Sequence, residues 1–582
     1  MRLKITESKN ARSLYVIRST YKNGKHSSEI VEKLGTYADL AKKLGGKEDP
    51  ILWARKYIAE LNENEKKGSR TVHFEMSPSK RMESNTPVSF NGGYLFLQTI
   101  YYALGLDSIA KKIAKKHKFT FDLNSILSYL LYARILFPAS KLATMQLVKN
   151  FLEQPSFELQ HVYRALGVIA QESDLIQSEL YKNSLKVADR NTHILYYDCT
   201  NFFFEIEQEE GLRQYGISKE HRPCPIVQMG LFMDGDGIPL AFNISPGNTN
   251  EQVTLTPLED KLLQDFKLSR LVVCTDTGLA STANRKFNDK KDRAFITTQS
   301  IKKLKKSLKE WALDKTGWHI PGQKGSFDIT KIDTDEALAE AYKNTTFYKE
   351  RWINEGGLEQ RIVVTFSMKY KNYQRSIRYA QIERAIKTVE KNPQKISKAN
   401  QNDYKRFIAK KSITPEGEIA DKNIYSIDAE RIAKEQAFDG YYAICTNLED
   451  DAQHILELNR QRWEIEESFR IMKSEFRSRP VYLSRDDRIR AHFTTCFLAL
   501  TLYRFLEKTL DKRFTCQKIL DGLRNMNFHK IRSEGYIPTY VHDEFMAALH
   551  ERFPFKTNLQ IVPAQEMKNI FKDSKKQKTS LK

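Results

Sequence analysis

Three carboxylates, Asp198, Asp276 and Glu466, are the residues whose types and settings could do chemistry together. Asp198 lies in the apolar run THILYYDCTNFFFEI, and Asp276 ends the run SRLVVCTDTGL. Glu466 lies in RQRWEIEESFRIMKSEF, Arg460 to Phe476, which contains no Gly or Pro and reads as one helix. At about 100° per residue, Arg462, Glu466 and Lys473 share one stripe of that helix, and Asn459 just upstream falls on it too. Trp463 borders the stripe on one side, and Ile465, Phe469 and Met472 border it on the other. Three convergent carboxylates repel one another unless hard cations lie between them, and oxygen ligands suit Mg²⁺ or Mn²⁺. Two such ions about 4 Å apart can activate a water or a 3′-hydroxyl and stabilise the leaving oxygen of a phosphodiester.

Each residue also has a plainer reading. Asp198 fits a turn former at a strand end, and Asp276, before Thr277-Gly278, fits a loop or cap. Glu466 fits an i,i+4 partner of Arg462 or Arg470. Arg462 and Lys473 fit surface charges, and Trp463 reads as core packing. What carries weight is their joint order on the right element types.

The elements that must position them follow from periodicity. THILYYDCTNFFFEI is a buried strand. PIVQMGLFMDGDGIPLAFNIS is a hairpin around Asp234-Gly-Asp-Gly237. NEQVTLTPLEDKLLQDF is an amphipathic helix, and SRLVVCTDTGL and RAFITTQS are strands. The order strand, strand, strand, helix, strand, strand opens a ribonuclease-H-like α/β core, assigned here to residues 189–300 and 452–510. Residues 301–451 form a mixed, strand-rich insertion, with strands expected at GSFDITKID, LEQRIVVTFSMKY, NIYSIDAE and DGYYAICTNL. Residues 1–75 read as a hairpin around Asn23-Gly24 followed by a helix. Residues 76–188 begin with a Ser/Pro-rich linker and continue as a helical region that could bind DNA. Its run Lys111 to Lys118 reads either as a solvated helix face or as a phosphate contact. Residues 511–582 read as a C-terminal helical region with a basic tail.

The formal net charge of +21 over 582 residues points to a polyanionic partner, nucleic acid first and an anionic membrane surface second. No run is long and apolar enough for a transmembrane helix, so no membrane partner is expected. Without a G-x4-GK[ST] loop there is no sign of ATP, and without HExxH none of zinc-protease chemistry. Six scattered cysteines suggest neither a disulfide framework nor a zinc site, and fit a reducing cytoplasm.

RQRWEIEESFRIMK resembles the third-carboxylate motif of the DDE insertion-sequence transposases, insertion-sequence-four superfamily, whose signature is Y-x2-R-x3-E-x6-K. It falls here on Asn459, Arg462, Glu466 and Lys473. YYDCTNFFFE resembles the family's first-aspartate strand, VVCTDTGLAS its second, and GISKEHRPCPIVQMGLFMDGDGIPLAFNISPGNTNE the hairpin and loop between them. LLYARILFPASK extends the likeness weakly upstream. The resemblance implies that Asp198, Asp276 and Glu466 bind two Mg²⁺ or Mn²⁺ ions. It implies that Arg462 and Lys473 grip phosphates at the transposon end. At the signature tyrosine stands Asn459, which can hydrogen-bond a phosphate but cannot stack. The implied activity is a DNA transposase that binds terminal inverted repeats, cleaves the ends and joins 3′-hydroxyls to target DNA, as a nucleoid-associated homodimer. The competing readings are a ribonuclease-H-like nuclease without strand transfer and a domesticated DNA-binding protein.

With this charge, phosphate contacts should dominate affinity for duplex DNA. Equilibrium titrations at increasing salt should show steep weakening, with several counterions released; a flat response would contradict an electrostatic DNA interface.

Overall fold

A computed structural model describes the chain except for residues 9–10, 23–24, 46–47, 70–77, 80, 82–83, 85, 392–402, 414–418, 532–533 and 577–582. Contacts divide it into two compact units, Met1–Thr86 and Pro87–Lys582. In the first, strands Arg2–Ser8, Ala11–Lys22 and Lys25–Thr36 form an antiparallel sheet, followed by helices Tyr37–Lys43 and Pro50–Ser69. Leu14, Leu40 and Ala54 make its small core. The expected Asn23-Gly24 turn lies outside the described residues, though the strands flanking it pair up to Lys22 and Lys25.

The second unit is built on an eight-stranded mixed sheet. Its strands are β1 (Ile194–Phe203), β2 (Ile226–Asp234), β3 (Pro239–Pro246), β4 (Leu271–Thr275), β5 (Arg293–Gln299), β6 (Thr346–Glu355), β7 (Leu358–Ser367) and β8 (Tyr441–Thr446). Their spatial order is β6-β7-β8-β5-β4-β1-β2-β3. β1 pairs antiparallel with β2 and parallel with β4, and β4 runs parallel to β5. Helix α1 (Leu255–Asp265) links β3 to β4, so the element order expected from the sequence is present. Central strands are covered on both faces and therefore read as near-continuous apolar runs. In β1 every residue is buried except Asp198, which is half-buried.

The β2–β3 hairpin is pinned by one buried acid. Asp234 Oδ1 accepts the backbone N–H groups of Asp236 and Ile238, and its Oδ2 takes Arg190 Nε at 2.7 Å. Arg190 also donates to the carbonyls of Ile238 and Pro239, so a fully buried ion pair has its donors and acceptors met.

After β8 come helices α2 (Ala452–Arg460), α3 (Trp463–Arg470) and α4 (Asp486–Thr509). Almost every residue of α4 from Ile489 to Leu506 is buried, as expected of a helix apolar on all sides. It packs against helices Tyr94–Ala103, Leu123–Leu136 and Leu159–Gln171 and against β3, forming the largest core. Among the described residues no single helix is long and apolar enough to cross a membrane, and all six cysteines are free.

Three expectations are corrected. The continuous helix Arg460–Phe476 is broken: α2 ends at Arg460, a turn holds Gln461 and Arg462, and α3 gives way to a π-helical turn at Ile471–Glu475. The π turn forms because Phe476 N–H reaches back to Ile471 and the buried Ser478 N–H takes the Met472 carbonyl. GSFDITKID is not a strand beyond a single bridge at Phe327, because the Asp328 carboxylate captures the Thr330 N–H at 2.8 Å and closes a 3₁₀ turn. The C-terminal helical region also contains strands Asn527–Ile531, Gly535–Pro538 and Val562–Pro563, which pair with Ser89–Asn91 in a four-stranded sheet. The lysine run stays on an exposed helix face, as one of its two readings had it, with Lys111 paired to Asp107, Lys112 to Glu179 and Lys116 to Glu172. Residues 301–451, for their part, add β6, β7 and β8 to the edge of the main sheet.

Asp234→Ala should destabilise the protein by about 3–5 kcal/mol, because it strands the buried Arg190 charge and two turn N–H groups. Urea unfolding measures this; an unchanged midpoint would mean that the pair does not hold the hairpin.

Candidate active site

Side chains alternate along a strand, so Tyr196, Asp198, Thr200 and Phe202 share one face of β1. The parallel register pairs Tyr196 with Cys274. β4 ends at Thr275, so Asp276 follows directly on the strand, and its carboxylate is near enough to act on Asp198. Asp198 Oδ1 accepts its neighbour's Cys199 N–H at 2.7 Å, and Asp276 Oδ1 accepts the Thr277 N–H at 2.6 Å, capping a short 3₁₀ turn. Burial pushes the Asp198 carboxyl up to about 6. Lys219, the Cys199 N–H and Arg462 oppose that rise, and the Asp276 carboxylate adds to it.

The same face of β1 carries the helices. Tyr196 Oη donates to the Leu458 carbonyl at 2.9 Å and contacts Gln461 Oε1 at 3.2 Å, which fixes the turn between α2 and α3 over the strand. Arg462 follows that turn. Burial works against its guanidinium, but Asp276, Tyr442, Glu466 and Asp198, in that order, raise its pKa. One cation therefore faces all three predicted carboxylates. Further along, Lys473 on the π turn lies 5.5 Å from the Phe202 ring centroid. Burial pulls it down to about 8, the Lys219 ammonium adds to that, and Asp198 opposes it. The charged stripe thus covers the strand face that bears Asp198.

α3 is held in place from behind. Buried Arg504 of α4 donates to Ser468 Oγ, to the Glu464 carbonyl and to Glu507. Ile465, Phe469 and Met472 are buried as expected, but Trp463 is 55% exposed and is not a core residue.

Two predicted residues are placed differently from their expected roles. Glu466 is 58% exposed and pairs with Arg462 Nη1 at 3.2 Å, the i,i+4 pair that its spacing allows. Asn459 is buried, and its amide donates to Tyr442 Oη at 3.0 Å, away from any solvent-borne phosphate. Among the described residues no three carboxylate, imidazole or thiol groups stand close enough to hold a metal ion. Asp198 and Asp276 fit a hard divalent cation by donor type and by the mutual repulsion it would relieve. Glu466 joins them only by leaving Arg462.

Three participants escaped the sequence reading. Lys219 contacts the Cys199 carbonyl and Glu251, and Asp198 and Glu251 raise its pKa against the effect of burial. Asn201 of β1 positions it by holding Ile217 and the Lys219 N–H. Glu220 pairs with both Lys473 and Arg479. Tyr442 of β8 bonds Asn459 and Thr298 and faces Arg462. Lys219 and Glu220 belong to the stretch GISKEHRPCP, whose polar residues were the available signal.

A family model described as the transposase DDE domain matches residues 202–502, a span that holds Asp276, Arg462, Glu466 and Lys473 and begins just after Asp198. No curated protein matches the chain. Among solved structures, a cryo-EM structure of the piggyBac transposase synaptic complex with hairpin DNA aligns at TM-score 0.34 and 8% identity, over 82% of this chain and 84% of that one. Since the family match spans more than half of its 582 residues, the chain belongs to the transposase DDE domain family.

Proposed function

We propose that this transposase binds the terminal inverted repeats of an insertion sequence, cleaves the ends and joins the resulting 3′-hydroxyls to target DNA. The carrying observation is that Asp198 in β1 and Asp276, just past the end of the parallel strand β4, lie close enough to act on each other and on Arg462, with Lys473 near Asp198. On this reading the sheet is a ribonuclease-H-like core, with β6, β7 and β8 inserted between its last strand and its final helices. Asp198 and Asp276 would hold Mg²⁺ or Mn²⁺, and Glu466 would complete the set. Such cations, once bound, supply Lewis-acid activation of the attacking oxygen and charge stabilisation of the leaving one.

The chain's own residues do the rest. Arg462 offers a planar, permanently charged fork that suits a phosphate as well as a carboxylate. When a DNA phosphate takes that fork, Glu466 loses its partner and is free to turn toward the aspartates. Lys473, already near the neutral range, gains its full charge when a phosphate lies beside it. Lys219 screens Asp198 from the other side. Two transposon ends call for two copies of the chain, and phosphoryl transfer between diesters needs no ATP.

Two experiments test this. Asp198→Asn, Asp276→Asn and Glu466→Gln should each bind end DNA nearly normally yet neither nick nor join it. Arg462→Ala and Lys473→Ala should weaken the end complex as well, by about 1–3 kcal/mol per charged hydrogen bond. Gel shifts and cleavage assays on the same five proteins separate these outcomes. Near wild-type cutting by Glu466→Gln would leave Glu466 as an ion-pair partner only, and cutting without joining would favour the nuclease.

The second experiment reads stability. Without metal, Asp198→Asn removes one of two like charges held together in a half-buried site, and should stabilise the protein by roughly 1–3 kcal/mol. Mg²⁺ should raise the melting temperature of the wild type and move that of the variant much less. Equal shifts in both proteins would place the cation elsewhere.

A further inference from the structure

A second cationic site lies outside the cleft, where the stretch LLYARILFPASK meets the loop after the π turn. A cavity of about 350 Å³ opens there, lined by Arg134, Lys141, Arg477 and Arg479, with the rings of Tyr163 and Tyr482 on its walls. No carboxylate lines it.

Two of these cations are built into the interior. Lys141 is 7% exposed and Arg134 6%. Arg134 spends Nη1 on the Phe476 carbonyl and Nη2 on the Ala139 carbonyl, while its buried Nε has no hydrogen-bond partner among the described residues. Among the described residues the Lys141 ammonium makes neither an ion pair nor a hydrogen bond, and the charged or titratable groups acting on it are Arg134 and Cys496. Burial, and then the Arg134 guanidinium, pull it down to about 7. His492, the remaining basic group on the lining, is held neutral by burial and by these two cations. Burying a cation without a counter-charge is costly, and folded proteins retain such groups where a ligand supplies the opposite charge. Arg477 adds a further cation at the rim from a left-handed backbone, φ 45°.

We propose that this cavity is a phosphate-binding site. Arg134, Lys141 and Arg477, which have no ion pair among the described residues, match a phosphate oxyanion, and the two tyrosine rings with Pro138, Pro480 and Leu483 offer an apolar wall beside it. The cavity communicates with the cleft: Arg479 pairs with Glu220, which pairs with Lys473 at 3.5 Å. A backbone phosphate of bound DNA is one source, a source that rests on the function proposed above. A free phosphate or mononucleotide is the other.

The test uses the full chain, Lys141→Met and Arg477→Gln. Lys141→Met replaces an unpaired buried charge by an apolar chain of similar length, and Arg477→Gln changes only an exposed side chain. Thermal melts are run with inorganic phosphate and with a deoxynucleoside monophosphate, and a mixed-sequence duplex is titrated across salt. If DNA is the ligand, Lys141→Met melts higher than wild type when unliganded. It also binds duplex about tenfold more weakly, with a salt slope smaller by about one, and Arg477→Gln weakens binding in the same direction. If the ligand is free, phosphate or the monophosphate raises the wild-type melting temperature and not that of Lys141→Met, while duplex affinity is unchanged. The proposal is overturned if both variants match wild type in affinity and slope and neither small anion shifts the wild-type melt. A wild type that binds no duplex at low salt would refute the proposed function, and the small-anion arm alone would then decide this site.

Discussion

Two acidic side chains, Asp198 in β1 and Asp276 just past the end of the parallel strand β4, impose the main electrostatic constraint on this molecule. The register that pairs Tyr196 with Cys274 brings the two stretches side by side, and the Asp276 carboxylate acts on Asp198. Backbone N–H groups stabilise each carboxylate, but they do not cancel two neighbouring like charges. Compensation has to come from elsewhere in the chain. It comes from Arg462 at the turn between α2 and α3 and from Lys219 on the loop after β1. Arg462 is far from both aspartates in sequence, so its share comes only when the helices have docked on the sheet.

That docking is itself specified by a few polar bonds set among apolar ones. Tyr196, two residues before Asp198, ties the end of α2 to the strand through the Leu458 carbonyl. Arg504, buried in α4, ties α3 from the opposite side through Ser468 and the Glu464 carbonyl. Apolar packing of Ile465, Phe469 and Met472 supplies area without direction, whereas these two residues fix the angle at which the charged stripe meets β1. The sheet beneath is widened by β6, β7 and β8, which cover β5 and remove an exposed edge next to the site.

Much of this was legible from period and composition. β1, the β2–β3 hairpin, β4 and β5 all follow from alternation or apolar runs, because each is a local consequence of which face is buried. The break at Gln461–Arg462 was not legible. Every residue there is an acceptable helix former, and the competing interaction is a tertiary bond from Tyr196. Trp463 was misjudged as well: size suggests burial, but the residue is 55% exposed. Lys219, Glu220 and Tyr442 reach the cleft from a loop and from a distant strand, and no periodicity in their own segments points there. Asn459 kept its position on the stripe but bonds Tyr442 instead of facing solvent, so an aromatic hydroxyl still lies near Arg462, supplied by β8.

Arg462 is where structure and proposed chemistry meet. Its guanidinium cannot shed its proton, and its donors can serve the carboxylates or a phosphate but not both fully. In the free chain they serve Glu466, while the guanidinium charge acts on the aspartates and keeps a repulsive cluster tolerable with the third carboxylate outside it. On the proposed reading, a DNA phosphate offers Arg462 an equivalent partner, so the exchange is nearly neutral in hydrogen bonding. The net charge of the cluster then becomes more negative by the lost guanidinium contact. That increase is what favours a divalent cation over the protein's own arginine. Substrate binding and metal binding would then be linked, each removing the obstacle to the other, and a chain without DNA would hold its carboxylates in a state unsuited to cutting.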